Sequence, residues 1–150
     1  MSPHRLLPHV LSLFRAIVGA LFVCHGAATI FGVLGGVGGH GGSAPVGAWP
    51  GWWAALIQLV GGAFVVLGLG TRPAALLCSG SMAYAYFSIH QDKGLLPMQN
   101  SGEPAVMFCW TFLLIALTGP GIWSLDALLA RNRSASADNP VEPASESVAA

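Results

Sequence analysis

The stretch LSLFRAIVGALFVCHGAATIF, from Leu11 to Phe31, decides the fold. Its 21 residues make about 31 Å of helix at 1.5 Å per residue, close to the ~30 Å hydrocarbon core of a bilayer. Only Arg15 and His25 can carry a full charge within it. Apolar side chains surround the whole cylinder, as a lipid-facing helix requires, instead of forming one stripe. A signal peptide has a shorter apolar core, about 7–15 residues, followed by a small-residue cleavage site. No such site is clear here, and Val23 precedes Cys24 where lipoprotein processing needs a small residue. The segment reads as an uncleaved span.

Three further apolar segments follow: Trp52 to Leu69, Pro73 to His90, and the shorter Pro104 to Thr118. Of the 150 residues 54% are hydrophobic and 8% charged, against about 25% charged in an average soluble domain. Mean hydropathy is +0.67, and six basic side chains balance six acidic ones. These figures exclude a soluble globule and a nucleic-acid binder. They predict an all-α integral membrane four-helix bundle over residues 1–131. Beside four spans there is no room for a flavin or dinucleotide domain, so any redox cofactor would be small, shared with a partner or dissolved in the membrane.

Punctuation between the segments supports this division. Residues 32–51 form a glycine-rich loop closed by Trp49, Trp52 and Trp53, an interfacial belt. Thr71-Arg72-Pro73 makes a tight turn with Pro73 at the first position of the third helix, and Pro104 repeats that pattern in the fourth. Gly119-Pro120-Gly121 ends the fourth helix, and Ser124 then caps a short interfacial helix, Leu125 to Ala130. The Ser/Ala/Pro/Glu composition of 132–150 predicts a disordered cytoplasmic tail. Arg5, Arg72, Arg131 and Arg133 fall on one side of a four-span topology and Lys93 alone on the other. The positive-inside rule therefore places both termini in the cytoplasm of a bacterial inner membrane.

Gly36-Val37-Gly38-Gly39-His40-Gly41 satisfies GxGxxG, but a membrane helix precedes it where the dinucleotide fingerprint needs a strand, so it reads as a loop. Cys24, Cys78 and Cys109 show no CxxC or zinc spacing, and no metal site is expected. Counting along the helices separates Cys78 from Cys109 by most of the bilayer and leaves Cys24–Cys109 as the one conceivable pair; no intramolecular disulfide is expected.

Ionisable groups in lipid are expensive and face the bundle interior. Near the inner surface, Asp126 is the natural partner of Arg15 or Arg72 in a structural ion pair. Near the outer surface, His25 and Gln58 stand at one depth on consecutive helices. Ser79, Ala83, Tyr86 and His90 share a face of the third helix at 4-3-4 spacing. Glu103 opens the fourth helix, where the helix dipole favours a carboxylate. His25, Gln58, Tyr86, His90 and Glu103 can thus converge in a proton-capable cluster open to lipid. The structural alternative is that His25 and Gln58 bond across helices.

Leu13-Phe14-Arg15 through Gly19, His25-Gly26, Leu59-Val60-Gly61-Gly62 through Thr71-Arg72-Pro73, Asn100 to Glu103, and Gly119 to Asp126 together resemble the DoxX family. The likeness runs over roughly residues 10–130. Members often carry Lys four residues after the His, where this chain has Thr29. The resemblance implies a small four-helix bacterial membrane protein tied to redox metabolism, with relatives associated with a thiosulfate:quinone oxidoreductase or with superoxide dismutase. Two functions follow. One is a non-catalytic membrane subunit or organiser of redox or oxidative-stress proteins. The other is a quinone-interacting oxidoreductase subunit without an intrinsic cofactor, in which His25 donates to a carbonyl, Tyr86 orients the ring, and His90 or Glu103 exchanges the proton.

Overall fold

A computed structural model describes residues 3–137, with side chains described for 6–134. Five α-helices follow in chain order: α1 (Pro3–Phe31), α2 (Gly51–Leu67), α3 (Thr71–Ala85), α4 (Glu103–Thr118) and α5 (Leu125–Ala137). No strand occurs among the described residues. One helix, taken as Leu6–Phe31, is long and apolar enough to cross a membrane, and α2 and α4 are shorter apolar helices. Large apolar side chains such as Leu13, Ile17, Leu76 and Leu117 point outward and are exposed.

α1 starts eight residues before Leu11 and runs through Pro8. Pro8 has no N–H for the helical ladder, so tertiary contacts must hold these first turns. Ser12 Oγ donates to the Pro8 carbonyl at 2.8 Å and accepts from the Trp123 N–H at 3.2 Å. The His9 ring meets Trp123 edge-on at 5.3 Å.

α1 lies antiparallel to α2, with Gly19 against Gly62 and Val66 and Gly26 against Ala55 and Leu59. A Cβ on Gly26 would stand 2.6 Å from the Leu59 nitrogen and 2.7 Å from the Ala55 oxygen. Only glycine permits that approach, because any side chain there would run into the α2 backbone. Phe22, Val65, Cys78, Met82, Phe112 and Ile115 fill the core, and the Phe22 ring tilts onto Phe112 at 4.6 Å. Ser79 on α3 donates to the Cys109 carbonyl on α4 at 2.8 Å. That contact corrects the expected separation of Cys78 and Cys109. Cys78 lies seven residues in from the start of α3 at Thr71 and Cys109 nine residues from the end of α4 at Thr118, so the two cysteines stand at neighbouring levels. All three cysteines are free thiols.

At the end of the bundle where α1 starts, Arg15 is 2% exposed. Its guanidinium donates to the carbonyls of Val65, Val66, Pro120 and Trp123. Val65 and Val66 belong to the last turn of α2, whose carbonyls lack helical partners. α2 ends two residues before the expected Leu69, because Gly68 turns left-handed at φ 68° and the Gly68 and Leu69 N–H groups fold back onto Val65 and Phe64.

The expected ion pair takes another form. The Asp126 carboxylate accepts from the Gly70 N–H (2.8 Å), the Thr71 N–H (2.9 Å) and the Thr71 hydroxyl (2.9 Å). It serves as the N-cap of α3, supplied from a distant segment. Arg15 is hydrogen-bonded to carbonyls and attracts Asp126 only at longer range, while the exposed Arg72 lays its guanidinium near Gly119. Burial pushes the Asp126 carboxyl up, but the Thr71 and Gly70 amides, the Thr71 hydroxyl and the Arg15 charge outweigh it and hold the group below its usual value. This remote cap also explains why α3 starts at Thr71, leaving Pro73 at its third position and not its first.

Ser124 Oγ accepts from the Ala127 N–H at 3.1 Å and caps α5 as expected. The helix continues seven residues past Ala130, to Ala137, so the segment from Asn132 to Ala137 is helical where disorder was expected. The rest of the expected tail, 138–150, lies outside the described residues.

Candidate functional site

At the opposite end of the bundle, α1, α2, α3 and α4 surround a chamber of about 170 Å³. His25, Gln58 and His90 supply its polar side chains, and Phe22 and Phe108 form aromatic walls. The His25 ring stands edge-on to Phe108 at 5.5 Å. Neither His25 nor Gln58 has a hydrogen-bond partner among the described residues, so the alternative of a bond between them is not realised.

His90 reaches the chamber through a local departure from the α-helix. After Ala85 the chain runs as a π-helical turn, Tyr86–His90, followed by a 3₁₀ turn, Gln91–Lys93. A wider turn rotates each residue by a smaller angle, so His90 no longer stacks above Tyr86. It joins Met82 and Ala85 on the chamber side, whereas Tyr86 and Ala83 line a separate apolar cavity with Phe87 and Trp110. The expected common face of Ser79, Ala83, Tyr86 and His90 is thereby broken. Tyr86 donates its hydroxyl to the Leu95 carbonyl at 3.2 Å and takes no part in the chamber. Glu103 also stays out: it occupies the first turn of α4 and is exposed, while its neighbours Pro104 and Ala105 line the wall.

Asn100 is the residue that sequence reading missed. It is 2% exposed. Its side chain donates to the Gly94 carbonyl and accepts from the Gly102 N–H, each at 2.8 Å. Its backbone carbonyl accepts from His90 Nδ1 at 3.0 Å. Because a carbonyl can only accept, neutral His90 carries its proton on Nδ1 and keeps Nε2 as a lone-pair acceptor. Gly102 packs so tightly over His90 and Tyr86 that a Cβ would fall 2.9 Å and 2.8 Å from them. The Asn-Ser-Gly turn chemistry was visible in the sequence, but its action on His90 was not.

The chamber therefore offers an amide, an imidazole acceptor and a second imidazole without a protein partner, between aromatic walls. It can bind a small flat group with hydrogen-bonding atoms at its edge. No cluster of three or more His, Cys, Asp or Glu able to hold a metal occurs among the described residues.

Apolar helices, glycine-mediated contacts and a polar chamber near one end define a small membrane-associated helical protein. The chain belongs to the DoxX family, whose pattern matches residues 10–91. That range includes Arg15, His25, Gln58, Arg72, Tyr86 and His90 and stops before Asn100, Glu103 and Asp126. The chain is also similar to a Haemophilus influenzae protein described as uncharacterized. The two are 37% identical over 122 residues, covering 79% of this chain and 90% of that protein. No solved structure matches the chain.

Proposed function

We propose that the chain is a multi-pass bacterial inner-membrane protein with four spans and cytoplasmic termini, and that its chamber binds the headgroup of a lipid-soluble quinone. The membrane reading is supported by the apolar surface of the helices and by the arginines gathered at one end. The quinone reading rests on one observation: His25, Gln58 and His90, from three helical segments, meet around one aromatic-walled chamber, and two of them have no hydrogen-bond partner among the described residues. A polar group in hydrocarbon costs several kcal/mol unless a ligand or water bonds to it, and the exposed His25 and half-buried Gln58 are open to such a partner.

A chamber of about 170 Å³ takes a single ring and leaves the isoprenoid tail in lipid. A quinone supplies two-electron chemistry coupled to protons when bound. The protein would orient it: Gln58 Nε2 and His25 donate to ring carbonyls, and His90 Nε2 accepts from a ring hydroxyl. Tyr86 and Glu103 drop out of the role proposed for them on sequence alone.

The organiser reading draws support from α5, which carries Leu125, Leu128 and Leu129 exposed beside Arg131 and offers a surface for a redox or stress-response partner. Titration of the purified protein with a short-chain quinone separates the two. Saturable binding to wild type that is lost in His25→Ala, with the fold retained, supports the quinone site. Absence of saturable binding to wild type removes it and leaves the organiser.

A further inference from the structure

The loop between α1 and α2 folds back over the end of α1 in a defined conformation. Gly41 N–H donates to Gly35 O at 2.7 Å, Val37 N–H to Gly42 O at 3.2 Å, and Ala44 N–H to Thr29 O at 2.8 Å. Gly36 adopts φ 69° and lies so close to Gly41 and Gly42 that no side chain fits there. Beneath this loop is a further cavity, of about 400 Å³, walled by Leu21, Cys24 and Thr29 of α1 and, on the loop, by Leu34 and the glycines 36, 38 and 39. Glycines present bare peptide groups, so this wall suits water, unlike the apolar grooves elsewhere on the helices.

One residue lines both this cavity and the chamber: His25. It is exposed, as is Cys24 beside it, whereas Phe22 and Gly26 on the same helix are buried. We infer that the cavity under the glycine loop is an aqueous vestibule, and that His25 forms the joint through which small water-soluble, hydrogen-bonding solutes reach the chamber from the outer face. The inference rests on the topology proposed above and deepens the reading of the site. On this reading the chamber takes an apolar ligand from lipid and a polar solute from water. Joining them through a side chain that can both donate and accept keeps a hydrogen-bonded path continuous across the constriction.

Thiol accessibility tests this without any quinone. Sulfonatoethyl methanethiosulfonate is charged and does not cross lipid. Added to intact cells, it should label exposed Cys24 and spare buried Cys78, as read by mass spectrometry of the purified protein. Two chamber reporters, Gln58→Cys and Ala105→Cys, each in a Cys24→Ser background, should then be labelled faster than Cys78. Adding His25→Trp should reduce both to the level of Cys78, while His25→Trp with native Cys24 still labels at Cys24 and so reports an intact vestibule. An unreactive Cys24 overturns the vestibule. A reactive Cys24 with both chamber reporters silent overturns the joint at His25, and so does labelling that His25→Trp leaves unchanged. Failure of quinone to bind would remove the proposed function but would not alter any of these readings.

Discussion

Replacing Asp126 by Ala removes one carboxylate and strands three donors at the start of α3. Those donors are the Gly70 and Thr71 amides and the Thr71 hydroxyl. Thr71 is fully buried, at 0% exposure, so water cannot replace the lost acceptor there. Loss of an N-cap costs about 0.5–2 kcal/mol, and a buried unsatisfied donor adds about 1–3 kcal/mol. The carboxylate is itself partly exposed, so the lower halves of these ranges apply, and the variant should lose about 2–3 kcal/mol. For a chain of this length that is a fall of roughly 4–12 °C in midpoint temperature. Asp126→Asn keeps one acceptor oxygen and should lose about half as much. The pH dependence follows from the same contacts. Because the folded carboxyl titrates below its ordinary value, its stabilisation is complete above the unfolded pKa of about 3.9 and is lost as pH falls through the folded value. Wild type should therefore lose more stability on acidification below about pH 4 than Asp126→Asn does. Thermal unfolding in mild detergent, followed by circular dichroism, measures both effects. An unchanged midpoint in Asp126→Ala, or parallel acid profiles for wild type and Asp126→Asn, would refute the remote cap.

Arg15→Met should destabilise more than Asp126→Ala, because it leaves carbonyls of two segments without their common donor. Arg15→Lys should rescue little, since one ammonium cannot reproduce the planar fork; near-wild-type melting of the Lys variant would contradict this. Reporter fusions after Arg131 and within the loop near Gly41 should report opposite sides of the membrane, and the same side for both would refute the four-span topology.

Residue chemistry alone carried much of this protein. The apolar run around Arg15 and His25 and the stops at 119–121 were legible because each acts locally or through a periodic pattern. Ser124 as a cap and the paired depth of His25 and Gln58 belong to the same class. The DoxX resemblance rested on those same local signals, and the family match to residues 10–91 agrees with it.

What the sequence could not contain were choices settled between distant segments. Asp126 looked like the partner of an arginine because opposite charges attract. In the folded chain two helix ends each take one of these charges: the carbonyls of the last turn draw Arg15 to the end of α2, and the free N–H groups draw Asp126 to the start of α3. His90 looked like a neighbour of Tyr86 because α-helical periodicity was assumed throughout. The π turn, held where Asn100 accepts from His90, brings His90 into the wall of the chamber that His25 also lines and leaves Tyr86 and Glu103 outside. Sequence determined which groups must find partners within an apolar bundle. Only tertiary structure decided which partners they found, because a buried polar group bonds to the donor or acceptor that packing brings within about 3 Å, whatever lies nearest along the chain.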